Sequence, residues 1–266
     1  MKIDINTKMI TLLGKPLGQS FAARMQNAGY EAAGLNMLYF YTEVDKDHLG
    51  DVVNGLRYMN FAGFAVTKPN KVRVLRYLDE LDPLCKKMGA SNTVVKTPEG
   101  KLIGYNTDGV GFYTSLVEEA TFFCFGAGGA GRAMCSVLAY HGAKKIYITD
   151  FYEPCAESLV MDINENFAPV AELVHHGDYA KIAECNVVMN GIGMGSTIGQ
   201  TPMPVEHIQP GQFYFDACYN PDKTQFLLNA EEKGCQVLNG LGMSLYQGAA
   251  QIELWTGEKA PVEAMR

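Results

Sequence analysis

The chain has 266 residues, 47% of them hydrophobic and 19% charged, enough for one large or two medium domains with a substantial core. A net charge of −7 and a pI near 5.3 argue against nucleic acid as the main partner, because neutralising phosphates needs a basic face. The seven cysteines are scattered, odd in number and lack a C-x-x-C pair, so neither a disulfide framework nor a zinc site is expected, and a reducing cytoplasm suits them.

In chain order, residues 9–13 read as a strand, followed by a loop, Gly14-Lys-Pro-Leu-Gly-Gln-Ser20, in which Ser20 could cap the next helix. A strand over 37–44, a helix from about Asp45 to Met59 and a strand over 61–67 come next, and Lys71 to Asp79 reads as helix. Strands alternating with helices predict an open α/β lobe. The segment 89–96, a turn at Pro98-Glu-Gly100 and the segment 102–108 read as a hairpin leading into a helix near Asp108. No window reaches the roughly 18 uninterrupted apolar residues of a membrane span, and the N-terminus has early charge rather than a leader pattern.

Phe122-Phe-Cys-Phe-Gly-Ala-Gly-Gly-Ala-Gly-Arg-Ala133 is an apolar strand that breaks into glycines and resumes as a helix. Gly126, Gly128 and Gly131 fall on the G-x-G-x-x-G spacing, where they permit a tight turn, close approach of a pyrophosphate and close helix packing; Gly129 and Ala130 begin the helix. A second strand-like run ends at Asp150, about 20 residues on, where a ribose-binding acid belongs. An acid there repels a 2′-phosphate, and Phe151, Tyr152 and Cys155 supply no cation. The reading is therefore NAD rather than NADP. Strands are expected at 186–189 and 213–216. The last thirty residues, with Leu245, Ala249, Ile252 and Trp255 at helical spacing, are expected to return to the first lobe. The organisation expected is a substrate domain over 1–107, completed by 237–266, and a Rossmann domain over 108–236, with a ligand cleft between the lobes.

Gly14-x-Pro-x-x-x-Ser20, Ala65-Val-Thr-Lys-Pro-Asn-Lys71, Gly89-Ala-Ser-Asn-Thr93, Asn106-Thr-Asp-Gly-Val-Gly111, Gly126-Ala-Gly-Gly-Ala-Gly-Arg132, Tyr219-Asn-Pro221 and Gln247-Gly-Ala249 resemble, in order and spacing, the motifs of the shikimate dehydrogenase family. The resemblance implies hydride transfer between a nicotinamide and a ring hydroxyl of shikimate, quinate or a related small cyclic hydroxy acid. It implies Lys71 and Asp108 as the catalytic pair. Alcohol oxidation needs a group that receives the hydroxyl proton, and a lysine beside a carboxylate can share that task; which of the two acts as base stays open. Asn92, Thr67 and Gln247 match substrate-hydroxyl positions, Ser20 a carboxylate-holding serine, Tyr219 a tyrosine near that carboxylate and Met243 a methionine against the nicotinamide.

Two departures stand out: the family's second loop serine is Ala22, and the asparagine opening the lysine motif is Ala65. Lys68 is a candidate replacement for the lost anion contact. The loop Asn190-Gly-Ile-Gly-Met-Gly195, with Gly191 beside the coenzyme, also differs from the family's usual Asn-Ala-Thr type. These changes keep a second reading open, a non-catalytic NAD-binding sensor on the same fold. His175-His176 has no third ligand at metal spacing, Cys218 has no paired histidine, and the assembly expected is a monomer or homodimer.

Overall fold

The computed structural model describes residues 3–18, 20–109, 120–194 and 199–266. It divides into two compact units, Met1–Gly111 with Leu245–Arg266 and Phe112–Ser244.

The first unit is built on a six-stranded mixed sheet. Its parallel part has β1 (Lys8–Gly14) between β2 (Met37–Glu43) and β3 (Phe61–Val66), with α1 (Ala22–Ala32) and α2 (Leu49–Tyr58) as the connecting helices. Consecutive strand residues serve opposite faces, as the two-residue period of a strand requires. Leu13, Phe64 and Val66 pack with Val53 and Leu56 of α2, while Leu12 and Ala65 lie in a separate core with Tyr30, Leu245, Ile252 and Trp255. The C-terminal residues thus complete the core that α1 begins.

β4 (Glu80–Leu81), α3 (Pro83–Met88), β5 (Thr93–Lys96) and β6 (Leu102–Tyr105) extend this sheet in the order β2-β1-β3-β5-β6-β4. The expected hairpin is β5–β6, antiparallel and closed where Gly100 donates to the Thr97 carbonyl at 2.9 Å. Asp82 caps α3 through the amides of Leu84 and Cys85.

Three local expectations shift. The helix expected over 71–79 is only a 3-10 turn, Arg73–Tyr77, because Leu78 turns extended and Asp79 is captured by Arg57 and the Leu102 amide. The helix expected from Asp45 starts at Leu49, since the Asp45 carboxylate first accepts the amides of Asp47 and His48. Ser20 is not the cap of α1: Phe21 holds that position without a side-chain bond. The helix expected near Asp108 lies outside the described residues.

The second unit is a parallel six-stranded sheet ordered β12-β11-β10-β7-β8-β9. Its elements are β7 (Thr121–Phe125), α4 (Gly129–Tyr140), β8 (Lys145–Thr149), α5 (Glu153–Asn166), β9 (Ala171–Leu173), β10 (Val187–Asn190), β11 (Phe213–Asp216), α6 (Gln225–Glu232) and β12 (Gln236–Asn239). Counted within the unit this is the doubly wound order of a Rossmann fold, with the topological switch between β7 and β10. Both faces are buried, so β7 and β10 carry continuous apolar runs, Phe122–Phe125 and Val187–Met189, rather than alternating. β12 pairs with β11, so residues 236–239 belong to this sheet, and the return to the first unit falls at Leu245, inside α7 (Leu241–Thr256).

Candidate active site

In the first unit the registers Leu13 with Val66, Ala65 with Thr93 and Thr93 with Tyr105 bring the ends of four strands to one edge. Ser20 follows β1 there, Thr67 and Lys71 follow β3, Asn92 precedes β5 and Asp108 follows β6. The backbone about Lys71 is held on both sides. The buried Asn70 donates its amide N–H to the Thr67 carbonyl at 2.9 Å and its side chain to the Val44 carbonyl at 3.0 Å. The Ser91 N–H donates to the Lys71 carbonyl at 2.9 Å.

This scaffold brings Lys71 and Asp108 together. Lys71 Nζ donates to Asp108 Oδ2 at 2.7 Å, with side chains only 18% and 6% exposed. Asp108 Oδ1 accepts from Asn92 Nδ2 at 2.8 Å, so each carboxylate oxygen has its own donor. A buried pair of this kind is held by geometry: removing one partner strands a desolvated charge at a cost of about 3–5 kcal/mol.

Asn92 is 2% exposed, and its amide also approaches Gln247 Oε1 at 3.1 Å and Thr107 Oγ1 at 3.0 Å. Asp108 is anchored by its own N–H on Asn106 Oδ1 at 3.1 Å, and Asn106 is tied to the Ala90 carbonyl at 2.9 Å. Lys71, Asp108, Asn92 and Gln247 therefore form one hydrogen-bonded centre.

The other first-unit candidates sit differently. Thr67 is half-buried, its N–H donating to the Leu13 carbonyl at 2.9 Å. Ser20 is half-buried; its hydroxyl accepts from the Ala22 N–H at 3.3 Å and its carbonyl from Tyr41 Oη at 2.6 Å. Ala65 is buried in the apolar core and Lys68 is exposed. Sequence reasoning missed Thr93, Thr107, Gln26 and Gln251, all buried and all in contact with this network or one step from it. The available signal was Gln251, one helical turn beyond Gln247 on a face otherwise apolar.

In the second unit the glycine-rich turn is shaped by exclusion. Gly126 has φ of +97°, which favours glycine, and a Cβ on Gly131 would lie 1.7 Å from the Gly126 carbonyl oxygen. Gly191 donates to the Phe125 carbonyl at 2.7 Å, closing the turn against the end of β10. Gly128, Gly129 and Ala130 form the N-terminus of α4; a Cβ on Gly128 meets nothing within 4 Å, and Gly128 and Gly129 are exposed. First-turn amides of a helix lack intrahelical partners and suit a pyrophosphate. The cradle fits a dinucleotide.

Asp150 follows β8 beside the glycine-rich turn. Its two oxygens accept from the Ala127 N–H at 2.7 Å and the Tyr152 N–H at 2.9 Å, so the acid fastens the glycine turn to β8. Met243 is 9% exposed within an apolar core with Met134 and Met189, and Tyr219 is half-buried. His175 pairs with Glu153, and no cluster of metal-ligating side chains exists among the described residues. Burial pushes the Cys218 thiol up, which disfavours a nucleophilic thiolate.

Comparison with known proteins settles the family. Residues 12–94 match the shikimate dehydrogenase substrate binding domain and residues 240–266 the shikimate 5′-dehydrogenase C-terminal domain. The chain is 40% identical over 278 residues to a shikimate dehydrogenase (NADP(+)) of Desulforamulus reducens, covering 100% of this chain and 95% of the relative. It is 36% identical over 277 residues to the enzyme of the same name from Moorella thermoacetica, covering 100% and 93%. The chain belongs to the shikimate dehydrogenase family.

Among solved structures it resembles a Listeria monocytogenes shikimate 5-dehydrogenase in complex with shikimate and NAD, with TM-score 0.92, 36% identity and coverage of 100% and 97%. It also resembles a Thermus thermophilus shikimate 5-dehydrogenase with NADP(H) and shikimate, with TM-score 0.87, 29% identity and 97% of each chain covered. A Corynebacterium glutamicum quinate dehydrogenase in complex with NAD matches with TM-score 0.89 and 28% identity over 97% of each chain. Membership makes this chain an oxidoreductase of the shikimate and quinate dehydrogenase type. The NAD preference read from Asp150 is corrected: the curated relatives are named NADP(+) enzymes. No helix among the described residues is long and apolar enough to cross a membrane.

Proposed function

We propose that this chain is an NADP-dependent dehydrogenase that oxidises a ring hydroxyl of shikimate, with Lys71 and Asp108 as the catalytic pair. The observation that carries the proposal is the largely buried 2.7 Å contact between Lys71 Nζ and Asp108 Oδ2, completed by Asn92 on the second oxygen. Bound NADP supplies the hydride acceptor. The residues that would hold its pyrophosphate are the amides of Gly128, Gly129 and Ala130 at the start of α4, with Gly126, Gly131 and Gly191 keeping the turn open.

Oxidation takes a proton from the hydroxyl oxygen as hydride leaves the carbon, and a group within hydrogen-bond reach must receive it. Lys71 Nζ contacts the reacting oxygen, and the proton passes to the Lys71–Asp108 pair, which acts as one unit. Asp108 fixes Nζ and balances its charge; Asn92 and Gln247 orient the ring hydroxyls, and each hydroxyl so paired is one an analogue lacking it would forfeit. Ser20 and Thr67 complete the substrate contacts of the first unit. Ala22 and Ala65 remove two polar groups from the family pattern, so quinate is the comparison substrate.

The test is reduced-coenzyme formation from shikimate and from quinate, each with NADP and with NAD. Turnover of shikimate with NADP at the highest kcat/KM supports the assignment. Binding of shikimate without turnover with either coenzyme overturns it in favour of a sensor.

A further inference from the structure

We propose that Gln26 and Gln251 are positioning residues that, through Thr93, lock the Asn92 side-chain amide in the orientation that aims its Nδ2 at Asp108. The inference rests on the reading of Lys71 and Asp108 as the catalytic pair. It goes beyond that reading by assigning a role to two side chains that touch neither of them.

The four residues form a donor chain of a single direction. Gln26 Nε2 donates to Gln251 Oε1 at 3.1 Å, and Gln251 Nε2 to Thr93 Oγ1 at 2.9 Å. Thr93 Oγ1 donates to Asn92 Oδ1 at 2.8 Å, and Asn92 Nδ2 to Asp108 Oδ1 at 2.8 Å. Gln26 and Gln251 are 0% and 6% exposed, so water does not compete for these bonds.

Backbone groups at both ends set the polarity. At one end the Thr107 N–H, which can only donate, points at Asn92 Oδ1 at 2.8 Å, so that atom is the oxygen and Nδ2 faces the carboxylate. At the other end the Gly248 carbonyl, which can only accept, takes the second hydrogen of Gln26 Nε2 at 3.1 Å. Reversing any link would set acceptor against acceptor. Bonds aligned in this way polarise one another toward the charged terminus.

One atom bears the cost of this arrangement. Gln26 Oε1 is buried with no hydrogen-bond partner, the expected remnant when the amide is used only as a donor. A fold selected for stability alone would favour an apolar residue there. The presence of glutamine at the head of the chain fits a demand made by the site.

The experiment is steady-state kinetics of the full chain with shikimate and NADP for Gln251→Met and Gln26→Met, unbranched replacements of similar length, with melting temperature and Lys71→Ala as controls. Gln251→Met is expected to lower kcat about tenfold with KM for shikimate within about threefold, because the lost interaction acts on the reacting pair. Gln26→Met, one link further away, is expected to lower kcat about threefold with little change in melting temperature, because it removes the orphaned Gln26 Oε1 but leaves Gln251 Oε1 without its donor. Should Gln251→Met fail to fold, Gln26→Met decides alone. A kcat within about twofold of the parent in each folded variant, or a loss confined to KM, overturns the proposal. If Lys71→Ala retains the parent rate, it is the catalytic assignment that fails; if Lys71→Ala is inactive while the glutamine variants are normal, only the positioning role fails.

Discussion

The polar centre of the first unit and the glycine-rich turn of the second both form at the ends of sheet strands, but from opposite materials. Around Lys71 the work is done by side chains, each pinned by a named partner at 2.7 to 3.1 Å. Around Gly126 it is done by missing side chains: the Gly131 position has no room for a Cβ, and a Cβ at Gly128 meets nothing. A site of the first kind fails when one donor or acceptor is deleted, because the partner left behind is buried and unsatisfied. A site of the second kind fails when atoms are added. The two units should therefore respond to opposite classes of substitution.

The largest effect is expected at Asp108. Asp108→Asn keeps the shape but removes the charge that holds Lys71 Nζ, and kcat for shikimate oxidation is expected to fall by about a thousandfold, with far-ultraviolet circular dichroism unchanged. A loss below tenfold would show that the carboxylate only braces the fold. Next comes Gly131→Ala, whose added carbon would lie 1.7 Å from the Gly126 oxygen. It is expected to destabilise the chain by about 4 kcal/mol or more in urea titration.

Gly128→Ala sharpens the contrast, because its Cβ meets nothing in the protein. Stability should stay within about 0.5 kcal/mol of the parent. The KM for NADP should rise about tenfold, since the new methyl occupies the approach of a pyrophosphate. An unchanged KM would remove the coenzyme from this turn.

The smallest effect lies away from both sites. Arg57 bridges α2 to Asp79 and to the Tyr77 carbonyl, and together with the Leu102 amide it holds the Asp79 carboxyl below its usual range. A carboxyl depressed on folding adds stability above its unfolded value near pH 4, and that stability disappears as pH falls through the folded value. Asp79 is 37% exposed, so the contribution is about 1 kcal/mol. Arg57→Met should lower stability by that amount at pH 7 and leave less acid dependence below pH 4; an equal loss at pH 7 and pH 3 would assign the effect to packing.

Much of this architecture was legible in the order of residues. The glycine spacing identified the β7–α4 turn, and the alternation of apolar residues separated the strand faces, because both signals are local. Lys71 and Asp108 lie 37 residues apart, and only family motifs joined them; their contact depends on β5 and β6 doubling back antiparallel beside β3. The coenzyme preference was not legible from one acid at the right spacing: the relatives named as NADP(+) enzymes overturn the NAD reading. Gln26 was invisible because its partner Gln251 lies 225 residues away and a helical glutamine resembles an ordinary surface residue until burial is known.

The central claim is that the Lys71–Asp108 pair receives the proton during oxidation of shikimate. Its most direct test is the single-turnover rate of NADPH formation by Lys71→Ala, measured with shikimate at saturation beside a calorimetric dissociation constant for shikimate. The expected result is a rate lower by about a thousandfold or more with shikimate affinity within about tenfold of the parent. A rate within tenfold of the parent would contradict the account.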